Sequence, residues 1–281
     1  MEPYCYFNGA VIPLTDAHVR PDDLGMLRGF AVYEGITAID GVPFHFHDHY
    51  ERLEHSTGAL ELAIPFTEEE ILSGITELLQ KNVPTGRASI RLILSGGQAV
   101  GGIEYKEENT LLYVLAEPAT PMPDAWYTDG VSLITAEHDR FMPEYKTTAY
   151  ITAVLLQKAR KASGAAEILY TSGDTILECA TSNIFIVKDG CVYTPDSYIL
   201  KGITRNVAIE MLSTDHTVVQ GEVTVQDLED ADEVFITSSF KDIVPVVTID
   251  DVPVGGGVPG PITKKLMADF ARALSSAEVE K

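Results

Sequence analysis

The stretch Pro118-Ala119-Thr120-Pro121-Met122-Pro123 packs three prolines into six residues. Proline has no N–H and fixes φ, so neither a helix nor a central strand runs through it. The break predicts two domains, residues 1–117 and 127–281, joined by a linker over 118–126. A chain of 281 residues is long enough for each part to bury a core.

Both sides of the break mix helix and strand signals. Asn8-Gly9 between Tyr4–Phe7 and Val11-Ile12 reads as a hairpin turn. Asp22-Asp23 caps a short helical turn leading to Met26-Leu27-Arg28-Gly29, and Val32–Ile39 reads as a strand turning at Asp40-Gly41. A helix is predicted from about Asp48. A second starts at Thr67, which forms a capping box with Glu70 and sets Ile71, Ile75, Leu78 and Leu79 on one face. Strands Ala88–Leu94 and Leu111–Leu115 flank the glycine-rich segment Gly96–Gly102. After the break come a strand, Val131–Ala136, and a helix from about Tyr150 with an apolar stripe of Ile151, Val154, Leu155 and Ala159. Gly202-Ile203-Thr204-Arg205 opens another helix, Glu233–Thr237 is a strand, and Pro261 starts the last helix.

Charge removes several function classes. Forty-two acids against twenty bases give a net charge of −22. Nucleic-acid binding and attachment to an anionic membrane surface both need cationic patches, so neither is expected. The three cysteines, Cys5, Cys179 and Cys191, form no C-x-x-C pair, which points to a reducing compartment. The N-terminal MEPYCYFNG has no signal-peptide pattern and no apolar run is long enough to span a bilayer, so a cytoplasmic location is expected.

Two residues stand out chemically. Lys146, in Tyr-Lys-Thr-Thr-Ala-Tyr, precedes an apolar helix, and Glu178 is the only acid in Ile176-Leu177-Glu178-Cys179-Ala180. Burying either is costly unless chemistry needs it. An amine catalyst working with pyridoxal phosphate needs both: a lysine that is partly neutral and an acid that keeps the ring nitrogen protonated. Each residue alone also fits a plain reading, a surface lysine at a helix start and a glutamate on the open face of a hairpin. Gly202-Ile203-Thr204 and Ser238-Ser239 offer backbone N–H groups and hydroxyls that suit a phosphate or simple capping, and Arg52 would add a cation. His45, His47 and His49 alternate around Asp48, but they straddle a strand end and a helix start, and no metal site is expected there.

Taken in order, these pieces resemble a family. Val32-Tyr33-Glu34-Gly35, His49-Tyr50-Glu51-Arg52-Leu53, Lys146, Glu178 through Phe185, Ile199 through Arg205 and Gly260-Pro261-Ile262-Thr263-Lys264 are similar to blocks of the class IV (fold type IV) pyridoxal-phosphate aminotransferases. That family holds branched-chain aminotransferases, D-amino acid transaminases and aminodeoxychorismate lyases. The resemblance spans nearly the whole chain. It implies an α+β fold, with a smaller N-terminal α/β sandwich domain, a larger C-terminal pseudo-barrel domain, and a homodimer. It implies that Lys146 holds pyridoxal 5′-phosphate and that Glu178 meets the ring nitrogen. Arg52, Ile203, Thr204 and Ser239 would form the phosphate cup, and Asn183 and Ser238 would join the cofactor contacts. Tyr150 would meet the ring hydroxyl; it lies four residues after the lysine, where branched-chain members place a tyrosine five after.

Departures from the family pattern bear on the substrate. Branched-chain members carry a tyrosine where Arg28 stands, and Tyr-x-Arg where this chain has Ser89-Ile90-Arg91. Two arginines suit carboxylates and sit poorly in an aliphatic pocket. Within the family the chain looks most like a variant group of D-amino acid transaminases that uses an arginine pair. Arg28, from the neighbouring subunit, and Arg91 are expected to grip carboxylates, with Tyr33 and Phe240 lining the substrate side. The expected reaction moves an amino group from a D-amino acid of the D-alanine or D-glutamate type to a 2-oxo acid. An L-branched-chain transaminase, or a lyase of the aminodeoxychorismate type, is the alternative.

Overall fold

Asn8 (φ 49°) and Gly9 (φ 97°) both take left-handed backbone, which a two-residue hairpin turn requires. They join β1 (Tyr4–Phe7) to β2 (Ala10–Pro13), with Phe7 opposite Ala10. The structure, a computed structural model, describes residues 2–276. Asp23 accepts from the N–H groups of Gly25 and Met26 and so starts α1 (Leu24–Arg28), which Gly29 ends at φ 68°. β3 (Ala31–Ile39) and β4 (Val42–Pro43) follow, then α2 (Phe46–Leu60). The Thr67–Glu70 capping box opens α3 (Glu68–Asn82). β5 (Arg87–Ser95) and β6 (Leu111–Pro118) complete a six-stranded antiparallel sheet in the order β2-β1-β6-β5-β3-β4. Ala119 to Pro123 carries no helix or strand.

Strand alternation gives this sheet two different faces. Val32, Ile36, Ile90, Leu92, Leu94, Leu112 and Val114 pack on Leu53 of α2 and on Ile71, Ile75, Leu78 and Leu79 of α3. Tyr33, Thr37, Ser89, Arg91 and Tyr113 lie on the other face. The segment Tyr145–Ala149 belongs with this first compact unit, which otherwise runs to Thr120 and takes in residues 274–276 at the end of the last helix. It lies along the start of β3: Tyr33 N–H donates to Lys146 C=O (3.0 Å) and Thr148 N–H to Ala31 C=O (3.1 Å).

The second unit comprises Pro121–Glu144 and Tyr150–Ala273. It opens with α4 (Ala125–Thr128), β7 (Val131–Glu137) and α5 (Ile151–Ser163). Then come β8 (Glu167–Ser172), β9 (Thr175–Cys179), β10 (Asn183–Lys188), β11 (Cys191–Pro195) and α6 (Ile203–Leu212). The remainder is β12 (Val218–Gly221), β13 (Val223–Thr224), α7 (Val225–Glu229), β14 (Glu233–Ser238), β15 (Asp242–Ile249), β16 (Val252–Pro253) and α8 (Pro261–Ser276). The strands form one sheet in the order β12-β11-β10-β14-β15-β7-β8-β9-β13, with β16 beside β15, and it curls into a nearly closed barrel. Leu133, Leu169, Ile184, Ile186, Val234, Ile236, Val244 and Val246 fill its core.

The structure corrects one simple picture of α5. Its apolar stripe does not face the core: Ile151, Val154 and Leu155 are 77%, 68% and 73% exposed. The helix packs instead through Ala153 and half-buried Leu156 onto Ile168, Tyr170, Leu177 and Ile199. The strand around Glu178 shows the converse. Ile176 and Glu178 are both buried, so β9 has no solvated face there.

Candidate active site

Lys146 is held by its backbone before its side chain does anything. Its N–H donates to Ser56 Oγ (3.1 Å), and its C=O accepts from Tyr33. Val32 and Thr147 form an antiparallel bridge between these two pairs. The side chain is half-buried, with Nζ 4.7 Å from the centre of the Tyr33 ring. Alternation puts Arg91 on the same sheet face as Tyr33, where its guanidinium is ion-paired with Glu117. Arg28, at the end of α1, is exposed and donates to Leu27 C=O (2.9 Å).

On the core side, Glu34 anchors a buried charge cluster. Arg52 Nε and Nη2 donate to its two oxygens (3.0 and 2.6 Å), and His49 Nδ1 hydrogen-bonds Oε2 (2.7 Å). Burial alone would raise the Glu34 carboxyl, but Arg52 and His49 outweigh it and hold it down to about 2. Burial pushes His49 down, against the pull of Glu34. Both shifts act in the same direction. A carboxyl depressed by folding adds stability above its unfolded value, near 4.3, that is lost as pH falls through its folded value. An imidazole depressed by folding loses stability as pH falls below about 6.5. The melting temperature therefore drops in acid, with the Glu34 part, on the order of 3 kcal/mol, lost between about pH 4.5 and 2. Replacing Glu34 by glutamine should lower stability at neutral pH and flatten that acid limb in calorimetry. An unchanged pH profile would contradict this role.

In the second unit, Glu178 is buried and shared. Arg140 forms an ion pair with Oε1, and Leu200 N–H donates to Oε2 (3.1 Å). Asn183 Nδ2 donates to Leu200 C=O (2.7 Å), so the same residue is clasped from both sides. That fixes the approach to Gly202, the N-cap of α6, which has no side-chain cap. Gly202 is required by closeness: a Cβ there would run into Asn183 Oδ1. Ile203 and Thr204 begin the helix and are buried. Arg140 also reaches over the Tyr150 ring, 5.9 Å from its centre. Ser238 ends β14, and Ser239-Phe240 form the half-buried turn into β15.

The structure thus groups the expected residues in two sets. Lys146, Tyr33, Arg52 and Arg91 lie in the first unit with Arg28. Tyr150, Glu178, Asn183, Ile203, Thr204, Ser238, Ser239 and Phe240 lie in the second. The three alternating histidines go to separate partners: His45 to Asp48, His47 to Glu68 and His49 to Glu34. Among the described residues, no group of three or more His, Cys, Asp or Glu side chains is placed to hold a metal ion. No helix among them is long and apolar enough to cross a membrane. Sequence reasoning missed Glu34, His49 and Arg140 as partners of the expected site. Glu34 and His49 stand in blocks shared with the family, but nothing in the sequence pairs them with each other or with Arg52, and nothing in the spacing of Arg140 pairs it with Glu178.

Comparison with known proteins identifies the frame. The family described as amino-transferase class IV matches residues 31–249. A Methanocaldococcus jannaschii protein, provisionally named a branched-chain-amino-acid aminotransferase, is 36% identical over 94% of each chain. A D-alanine aminotransferase of Staphylococcus haemolyticus is 31% identical over 96% of this chain and 98% of its own. A branched-chain amino acid aminotransferase of Escherichia coli superposes with a TM-score of 0.88 at 26% identity, covering 100% of this chain and 97% of that one. Another branched-chain amino acid aminotransferase, solved with pyridoxamine 5′-phosphate, superposes with a TM-score of 0.91 at 27% identity, covering 100% of this chain and 96% of that one. The fold is that of the fold type IV enzymes. The chain belongs to the class IV aminotransferases, and it is an enzyme.

Aminotransferases of this family use pyridoxal 5′-phosphate, and the residues fit it. The start of α6 presents N–H groups without a side-chain cap, as a phosphate requires. Arg140 and the Leu200 N–H hold the buried Glu178 carboxylate in place, and a fixed carboxylate is the group a protonated ring nitrogen pairs with.

Proposed function

We propose that this aminotransferase moves an amino group from a D-amino acid of the D-alanine or D-glutamate type to a 2-oxo acid. One observation carries the reading. The sheet face that presents Tyr33 beside Lys146 also presents Arg91, a partly exposed guanidinium, ion-paired with Glu117, of the kind that grips a carboxylate in bidentate fashion. Arg28 is a second exposed guanidinium, which by family analogy serves the site of a neighbouring subunit.

When bound, the cofactor supplies an electron-withdrawing ring that stabilises negative charge at the substrate Cα. The chain supplies the rest. Lys146 Nζ would hold the cofactor and, once the substrate amine has displaced it, would take the proton from Cα and return it to the carbon on the far side of the substrate nitrogen. Glu178 keeps a negative charge beside the ring nitrogen, and Arg140 keeps that carboxylate in place. The α6 N-terminus, Ser238, Ser239 and Arg52 hold the phosphate, and Tyr150 meets the ring hydroxyl. Arg91 and Arg28 take carboxylates, with Tyr33 and Phe240 along the substrate.

The enzyme works as a homodimer in this reading. The support is the exposed stripe of Ile151, Val154 and Leu155 on α5 and the exposed Met26 and Leu27 on α1. Placing a glutamate at the stripe (Leu155→Glu) should shift the protein towards monomer in sedimentation, with loss of activity. A dimer unchanged by that variant would remove α5 from the interface. The reading also places the enzyme in the cytoplasm, supported by three unpaired cysteines.

A second reading, an L-branched-chain transaminase, is favoured by the 36% identity to the Methanocaldococcus jannaschii relative. The purified enzyme loaded with pyridoxal phosphate separates the two. Turnover of D-alanine and D-glutamate above that of L-leucine is expected. Robust L-leucine turnover with none of either D-amino acid would overturn the proposal.

A further inference from the structure

Lys241, in the turn between β14 and β15, lies outside every role given above, yet its side chain makes three polar contacts. The side chain is 15% exposed, and its Nζ ion-pairs with Glu167 of β8 and donates to Thr181 Oγ1 and Ser182 Oγ, the last at 3.1 Å. An ammonium has three protons, and these three acceptors use them all. Thr181 and Ser182 in turn donate to the buried Glu167 carboxylate. Burial alone would raise Glu167, but Lys241 and the two hydroxyls outweigh it and hold it low. The backbone of Lys241 is fixed as well: its N–H donates to Ser238 Oγ (3.3 Å), and its C=O accepts from Tyr127 Oη (3.1 Å).

This places one ammonium between two turns. One is Ser238-Ser239-Phe240, and the other is Thr181-Ser182, which separates Glu178 from Asn183. We infer that Lys241 is a positioning residue that locks these turns together over Glu167, so that the contacts to phosphate and to the ring keep one fixed spacing. The inference rests on the proposed roles of Ser238, Ser239, Glu178 and Asn183. The β10–β14 ladder already pairs Asn183 with Thr237, and Lys241 carries that connection past the last pair, into the two turns and across to Glu167 of β8. A small misplacement of such a support loosens a bound group even where its direct contacts survive.

Removing Lys241 alone would leave Glu167 charged and buried, so the informative variant neutralises both, Lys241→Met with Glu167→Gln. The measurement is the dissociation constant of pyridoxal phosphate from the cofactor-free protein, read by absorbance well below the melting temperature. Two controls accompany it. Ser239→Ala tests whether the turn touches the cofactor, and Val244→Ala, a core truncation, sets the affinity lost to destabilisation alone. The double variant is expected to bind about tenfold more weakly than the Val244→Ala control, a difference of about 1.4 kcal/mol. Weakening no greater than that control, with Ser239→Ala clearly weakened, would overturn the positioning role and leave the pair merely structural. Parent-like affinity in Ser239→Ala would overturn the reading of the turn, and the inference with it.

Discussion

Replacing Lys146 by alanine lowers transamination by more than about 10³-fold while leaving the fold in place. The size follows from the two tasks assigned to one amine. A positioned acid–base group contributes on the order of 10² to 10⁴ in rate, and Nζ is also the proposed attachment of the cofactor. The fold should survive because the structural duties of residue 146 are met by its backbone. The N–H to Ser56 and the C=O to Tyr33 need no side chain. Nζ contributes a ring contact at 4.7 Å, worth about 1 kcal/mol at an accessible site. Steady-state turnover and a melting curve on the same sample check both halves. Activity within about tenfold of the parent enzyme would remove Lys146 from the chemistry.

Replacing Glu178 by alanine should do more damage to the protein and comparable damage to the reaction. Arg140 is 11% exposed and loses its counter-ion, and Leu200 N–H loses its acceptor. Breaking a buried ion pair from one side costs about 3 to 5 kcal/mol. The charge beside the ring nitrogen disappears as well, and loss of one such electrostatic contact typically costs about 10²- to 10³-fold in rate. Glu178→Gln separates the two effects. Its amide oxygen can still accept from Leu200, so it should recover part of the stability while activity stays low. A glutamine variant as active as the parent would show that the buried acid serves Arg140 and the fold only.

Much of this was legible in the chain itself, for reasons that differ between residues. The Asn8-Gly9 hairpin, the Asp23 cap and the Thr67–Glu70 box are local, and each depends on residues within a few positions of one another. Glu178 stood out as a lone acid in an apolar run and Lys146 as a lone lysine just ahead of an apolar helix. Their partners could not be read so simply. Arg140 and Glu178 are 38 positions apart, Lys241 and Glu167 are 74 apart, and no periodicity links either pair. The α5 stripe shows the opposite limit. A 3.6-residue pattern reports an apolar face, and does not say whether that face meets its own core or a second copy.

The most direct test of the account is chemical. Borohydride reduction of the pyridoxal phosphate-loaded enzyme, followed by digestion and peptide mass mapping, locates the amine that carries the cofactor. One stoichiometric adduct, on the peptide containing Lys146, is expected. An adduct on any other lysine, or none at all, would contradict it.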